Sequence, residues 1–211
     1  MLYQAVLNSI IAASAFALVA LSFALIYVPT RFFHFAHGAV VAWGAYVAYG
    51  SHVLLSMPLL PSAALAIGTS TALGLALEVS VYRPLRRRSA TGLVLLLASL
   101  GLYVVLQNVI SLVFGDDTKS LRSGNITESV ILLGAYITWP QIWIVVASTL
   151  CLFSMWMVHR FTRAGKAFRA VANDPELALV RGIDVDRTIL AAFAVGSGLG
   201  SQESFWRWML T

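Results

Sequence analysis

Residues 1–30 read MLYQAVLNSIIAASAFALVALSFALIYVPT and contain no Asp, Glu, Lys or Arg. A helix needs about 20 apolar residues to cross the hydrocarbon of a bilayer, and this run exceeds that. Extending the count to residue 82 adds only Arg31 and Glu78. So much uncharged, apolar chain is compatible with lipid as the solvent and not with water. The sequence therefore predicts an integral membrane protein of several spans, which excludes most soluble enzymes before any motif is read.

Hydrophobic residues make up 59% of the 211 positions and charged residues 11%, roughly half the usual charged share of about 25%. That leaves room for one bundle, residues 1–211, and no sizeable soluble domain. Three further stretches lack Asp, Glu, Lys and Arg: Phe32–Leu77, Ser89–Gly115 and Ser129–Val158. Phe32–Leu77 is long enough for two spans and should break at Met57-Pro58-Leu59-Leu60-Pro61, because proline stops a helix. Spans are expected near 5–28, 35–56, 60–80, 91–114 and 141–159. An incomplete sixth starts at Thr188, since Thr188–Gln202 offers only fifteen uncharged residues. Period-2 alternation is absent and Ala, Leu and Gly abound, which argues against a β-barrel. The fold class is an all-α, polytopic transmembrane helix bundle with about five complete spans and an incomplete sixth.

A net charge of +5 could suggest nucleic acid, but its distribution excludes that reading. Eleven of the fourteen Lys and Arg fall at Arg31, at Arg83 and Arg86–Arg88, and between Arg160 and Arg187. The intervening loops carry no cation (Gly50–Leu60) or balance Lys119 and Arg122 against Asp116, Asp117 and Glu128. This alternation follows the positive-inside rule and puts the N-terminus outside, with the three basic segments in the cytoplasm. No cation precedes the first apolar run, so it reads as a retained span and not a cleaved leader. Cys151 is alone within an apolar span and reads as a small core residue.

Ala13, Ala17, Ala20 and Ala24 form a small-residue stripe on the first span. Such stripes let helix backbones approach closely in lipid, and Gly92, Gly101, Gly196 and Gly200 read the same way. The outer segment Gly115–Pro140 contains Val130–Ile137, too short to span and suited to a hairpin or an interfacial segment. Trp139 and Trp143 flank Pro140 as an aromatic belt would at a span boundary.

Every carboxylate falls outside the spans or at a span edge, as Glu78 does. Ion-coupled carriers usually keep an ionisable group within the membrane. His34 and His37 near an inner boundary are a partial exception. They could line one helix face in a structural or gating role, or bind a metal, although no third ligand is in view. Gly165-Lys166 lacks the rest of a phosphate-binding loop. Gln107 and Asn108 could hydrogen-bond a zwitterionic substrate or serve interhelical packing. Arg83 and Arg86–Arg88 read as topology anchors on anionic headgroups.

Arg160–Arg187 is the most structured loop. Residues 166–172 put Ala167, Ala170 and Val171 on one helix face and Lys166 and Arg169 on another. Asp174-Pro175-Glu176 is a helix start, with Asp as N-cap, Pro at N1 and acid in the first turn. Arg181 and Gly182 close that helix. Two short capped helices suit docking of a partner; the alternative is an amphipathic segment resting on the bilayer.

The run from Arg163 to Glu176, RAGKAFRAVANDPE, continuing to Arg181-Gly-Ile-Asp-Val-Asp, resembles the coupling loop of permeases in branched-chain amino-acid ABC importers. Ala17-Leu-Val-Ala-Leu, then Leu25-Ile-Tyr and Phe33-His-Phe-Ala-His-Gly, is similar to the N-terminal signature of these subunits. Glu78-Val-Ser-Val-Tyr-Arg-Pro-Leu-Arg resembles their third-span exit. Within the family the LivH-type subunit is closer than the LivM-type. Two positions depart: the family usually has Asn before Phe-Ala-His-Gly and an acid after it, where this chain has His34 and Ala39. Family members also continue through further spans, so the sequence reads as C-terminally incomplete.

The resemblance implies a multi-pass subunit of the bacterial inner membrane that performs no covalent chemistry and holds no cofactor or metal of its own. A second permease subunit would complete the path, and two cytoplasmic ATPases would use ATP and Mg. A periplasmic or extracellular binding protein would deliver branched-chain or related amino acids. Loop 160–187 would be the coupling loop, with Gly165, Lys166, Arg169, Asp174, Pro175, Glu176 and Gly182 as its coupling residues. His34, His37, Gly38, Gln107 and Asn108 are the substrate-path candidates. A self-sufficient channel or secondary transporter and a non-functional truncated fragment are the rival readings.

The charge alternation makes a direct topological prediction. A thiol reagent added outside should label Lys119→Cys, and should reach Arg87→Cys only after permeabilisation. The reverse accessibility overturns the orientation.

Overall fold

The computed structural model of the chain describes residues 2–115, 129–132 and 135–208. Its helices are α1 (Leu2–Thr30), α2 (Ala36–Tyr49), α3 (Leu59–Leu77), α4 (Arg83–Arg87), α5 (Gly92–Phe114), α6 (Trp139–Phe161), α7 (Arg163–Asn173), α8 (Pro175–Val180) and α9 (Val185–Trp208). A π turn at Gly50–Leu54 extends α2, and a second at Glu78–Tyr82 carries α3 into α4 without a break. Tyr3–Thr30, Leu59–Arg87, Gly92–Phe114 and Gln141–Phe161 are each long and apolar enough to cross a membrane.

Local sequence sets the boundaries. Pro58 holds extended backbone (φ −55°, ψ 153°) directly before α3, which enforces the break between the second and third spans. Gly115 ends α5 with φ +81°, a conformation that glycine adopts without steric cost. Thr138 and Gln141 form a capping box at the start of α6, with the Thr138 amide donating to Gln141 Oε1 at 3.0 Å. The outer apolar segment is a hairpin, β1 (Ser129–Leu132) antiparallel to β2 (Ala135–Thr138), in register Val130↔Ile137. Asp116, Asp117, Lys119, Arg122 and Glu128 lie outside the described residues.

The run expected as an incomplete sixth span lies in α9, a continuous helix of 24 residues that is not among the four helices apolar enough to cross a membrane. At 1.5 Å per residue it rises about 36 Å. It carries on past the fifteen uncharged residues to include Glu203 and Arg207, whose side chains lie outside the described residues. It stands at the centre of the bundle, packed against α1, α2 and α3, while α5 packs mainly on α2 and α6 on α1. Its three glycines explain that position. A Cβ at Gly196 would meet the Ser22 carbonyl of α1 at 2.8 Å, one at Gly198 the Thr71 hydroxyl of α3 at 2.9 Å, and one at Gly200 the Val41 side chain of α2 at 2.7 Å. Each glycine thus sets the approach to a different neighbour. Around them Leu18, Ile26, Val40, Tyr82 and Phe193 are fully buried.

Two packing expectations are corrected. A Cβ at Gly92 or Gly101 would meet nothing within 4 Å, so neither glycine is needed for close approach. On α1 the buried face is Ile11, Leu18, Ser22, Leu25 and Ile26, whereas Ala13 and Ala20 are exposed. The physical reason is that α9 supplies the small residues, and α1 fills the facing gap with Leu and Ile.

The glycine geometry separates two classes of substitution. Gly196→Val or Gly200→Val should cost about 1–3 kcal/mol by overpacking, read as a lowered unfolding midpoint in detergent. Gly101→Ala should leave that midpoint unchanged or higher, reflecting a gain of up to about 1 kcal/mol. An equal loss in all three would contradict the packing described.

Candidate functional site

The basic segments of the sequence converge at one end of the bundle, where α1, α3–α4, α7 and the start of α9 meet. The α1–α2 link, Phe32–Phe35, enters this end. Ser99 of α5 fastens it: Phe35 N–H donates to Ser99 Oγ at 3.2 Å, and the Ser99 hydroxyl shares its proton between the Leu96 carbonyl at 2.8 Å and the Phe33 carbonyl at 3.1 Å. His34 and His37 follow on the buried side, 1% and 3% exposed. His34 Nδ1 shares a 2.9 Å hydrogen bond with the Tyr82 hydroxyl, and its ring lies edge-on to Tyr82 and against Phe193. His37 Nε2 is 2.8 Å from Ser22 Oγ. That hydroxyl also lies 2.8 Å from the Val19 carbonyl, so one Ser22 side chain joins the α2 histidine to the α1 backbone.

The two histidines therefore tie α2 to α1, to the Glu78–Tyr82 turn and to α9. Among the described residues no third His, Cys, Asp or Glu stands with them. The enclosing rings give them an interhelical role. Gly38 lies beside them on the exposed side of α2, with Tyr103 of α5 as its neighbour.

Of the four arginines expected on headgroups, Arg83, Arg86 and Arg87 are instead ion-paired within the chain, a second correction, and Arg88 is exposed. Arg86 forms a bidentate pair with Glu78, one hydrogen bond being 3.0 Å, and that carboxylate is fully buried. Arg83 and Arg87 both reach Asp186 at the start of α9, at 3.0 and 2.9 Å. The π turn brings Leu77, Glu78 and Tyr82 all onto the buried side, so the carboxylate expected at a span edge is inside the bundle. Partial burial works to raise the Asp186 carboxyl, but the hydrogen bonds from Arg87 and Arg83 outweigh it and hold it below its ordinary value. A carboxyl depressed by folding stabilises the folded state above its unfolded pKa and loses that contribution as pH falls through the folded value. This clasp is therefore in place throughout the neutral range.

The loop forms as its caps dictate. Thr162 Oγ1 accepts from Gly165 N–H at 3.1 Å to start α7. Gly165 is buried against the Val158 and His159 carbonyls at the end of α6, where a Cβ would collide. Arg169 donates to the His159 carbonyl, capping α6 with a cation where the helix dipole favours one. Lys166 points to solvent. Asp174 Oδ1 accepts from both Glu176 and Leu177 N–H at 3.0 Å, with Pro175 opening α8. Gly182, at φ +78°, donates to the Leu179 carbonyl while Ile183 donates to Ala178, a Schellman closure that the Arg-Gly pair announced.

Gln107 and Asn108 stay on their own helix: Gln107 donates to the Tyr103 hydroxyl at 3.2 Å and Asn108 to the Val104 carbonyl at 2.7 Å. They are not brought together with the histidines. Tyr82, Asp186, Phe193, Ser22 and Ser99 are contributors that sequence reasoning missed. Only Asp186 carried a signal, as an acid opening a span beside a basic loop.

Bundle and loop together define a multi-pass helical membrane protein with one elaborated, ion-paired end. The family described as "Branched-chain amino acid transport system / permease component" matches residues 5–201. The high-affinity branched-chain amino acid transport system permease protein LivH of Salmonella typhimurium is 31% identical over 210 residues, covering 94% of this chain and 68% of that protein. LivH of Escherichia coli and BraD of Pseudomonas aeruginosa are each 30% identical with the same coverage. The chain belongs to this permease family. No solved structure matches it.

The buried pair generates a test. Arg86→Gln strands Glu78, which should cost about 3–5 kcal/mol and appear as lost folded protein in detergent extracts. Adding Glu78→Gln to it should restore much of the loss. Failure of the double variant to recover would show that the pair is not what Arg86 serves.

Proposed function

We propose that this chain is one of two permease subunits of an ATP-binding-cassette importer for branched-chain or related amino acids. It lies in a bacterial inner membrane with its N-terminus outside. Two cytoplasmic ATPases, holding ATP and Mg, dock on loop 160–187, and a soluble binding protein delivers substrate on the opposite side. The observation that carries this reading is the loop itself. Two short helices, each capped by its own side chain, are packed onto α1, α6 and α9.

The attachment gives the loop a mechanical role. Arg31, at the end of α1, donates to the Ala172 carbonyl of α7 at 2.6 Å. Asp184 Oδ1 accepts from the Arg187 amide at 3.0 Å, and Asp186 holds the end of α3–α4. A push on α7–α8 is therefore delivered to α1, α3 and the central α9 together. Rigid-body movement of packed helices of this kind is how nucleotide-driven closure becomes alternating access.

The outer side of the loop offers Lys166 and Glu176 together with Leu177 and Val180, which are 49% and 84% exposed. A mixed apolar and charged patch of this kind suits a protein partner. Gln107 and Asn108 sit on the exposed side of α5, available to a second permease subunit along a shared path. A proton-coupled carrier is the weaker reading, because Glu78 is already committed to Arg86.

Coupling can be tested in the subunit reconstituted with its ATPases and binding protein. Lys166→Glu should weaken docking, and Gly182→Pro cannot adopt the φ of +78° that closes α8. Both variants should insert normally and lose transport-coupled ATP hydrolysis several-fold. Unchanged coupled hydrolysis in both would make the loop a mere surface segment.

A further inference from the structure

A groove of about 520 Å³, open on one side, runs between the C-terminal halves of α1 and α6 and is roofed by α7. Leu21, Ala24 and Val28 form one wall and Leu152 and Trp156 the other. These are the halves of the two spans next to the basic end, so the groove lies at acyl-chain depth in that leaflet. Its lining contains no carboxylate, and its one charged member is Arg169, beside the α7 roof.

Among the described cations of that end, some are held by carboxylates and two beside the groove are held by backbone carbonyls. Arg83, Arg86, Arg87 and Arg187 all have carboxylate partners. Arg31 and Arg169 instead donate to backbone carbonyls, those of Ala172 and His159, and both acceptor residues line the groove. A carbonyl orients a guanidinium without neutralising it, and a guanidinium has five N–H donors. Two full positive charges are thus fixed at the surface end of an apolar slot that opens toward lipid.

We propose that this groove is a binding site for one anionic phospholipid of the leaflet at the basic end. An acyl chain lies between α1 and α6, and the headgroup phosphate is held by Arg31 and Arg169. The slot is of small-ligand size, its walls suit hydrocarbon, and guanidinium forks match phosphate oxygens. Trp156 takes the amphipathic place that Trp holds where a span leaves the membrane. The lipid would glue α7 to the α1–α6 pair, so anionic lipid would stiffen the loop. The proposal rests on the chain spanning a membrane and not on the importer reading.

The test is native mass spectrometry of the full chain, purified in detergent and offered phosphatidylglycerol and phosphatidylcholine with identical acyl chains. One phosphatidylglycerol should be retained with a preference of about 25-fold, given about fivefold for each of the two near-surface cations. The Arg31→Gln/Arg169→Gln variant should bring the ratio near one, while Arg31→Lys/Arg169→Lys and Arg163→Gln/Lys166→Gln should keep most of it. Equal retention of both lipids by the unmodified chain, or a preference surviving the Gln pair, overturns the site. A second measurement needs no variant: phosphatidylglycerol with a mid-chain diazirine should label residues 21–28 and 152–159 at least fivefold over α5. Uniform labelling, or a co-purifying subunit cross-linked at Leu152 in place of lipid, also overturns it. None of these readouts involves ATP hydrolysis, so they fail or succeed independently of the importer reading.

Discussion

Close approach of backbones at α9 is the constraint on which the rest of the bundle depends. In lipid, apolar side chains gain nothing by leaving the solvent for one another. Helices associate through dispersion contacts, which fall off steeply with distance, and through interhelical hydrogen bonds. Gly196, Gly198 and Gly200 let one helix touch α1, α3 and α2 in a single turn and a half. No other described element is packed on all three. Ser197 and Ser201, both fully buried, share this segment and add little volume. The close approach then brings Phe193 against His34 and Tyr82, and so creates the aromatic cage at the basic end.

The second layer of order is electrostatic. Removing Glu78 from water is costly unless a partner accompanies it, and Arg86 does so with two parallel hydrogen bonds. That pair holds the Glu78–Tyr82 turn, which positions the Tyr82 hydroxyl for His34. Arg83 and Arg87, one and five residues further on, then have Asp186 within reach. Packing at the glycines and pairing at Asp186 fix α9 at two heights, and the loop hangs from the lower one.

Much of this was legible in the sequence, for reasons that differ by element. The spans were legible because lipid demands long uncharged runs, and the α2–α3 break because proline cannot continue a helix. The caps of α8 were legible because Asp174 and Gly182 act within a few residues of themselves, whereas the Thr162 cap of α7 went unread. What sequence left hidden is nonlocal. The side of α1 that would be buried depended on which partner brought small residues, and Ala13 and Ala20 lost that role to α9. The arginines of α4 looked like headgroup anchors because Asp186 is a hundred residues away along the chain. His34 and His37 read as a structural or gating pair without identifiable partners, because nothing local declares that Tyr82, Ser22 and Phe193 surround them.

The same nonlocality shows why the loop and the bundle behave as one body. α9 starts directly from the loop, so its first turn belongs to both. Asp184 directly precedes that turn and reaches forward to Arg187, and Asp186 within it reaches across to Arg83 and Arg87. α7 is held from two sides by guanidinium–carbonyl contacts, at Ala172 from Arg31 and at His159 from its own Arg169. A flexible tether would dissipate a displacement of α8 before it reached the spans. Here each attachment is charge-assisted, and four elements share them. Displacement of the loop must therefore carry the ends of α1, α4, α6 and α9 with it or break charge-assisted hydrogen bonds, which are about twice as strong as neutral ones. Movement as a unit is the lower-energy course, and it is what the proposed docking of an ATPase on the loop requires.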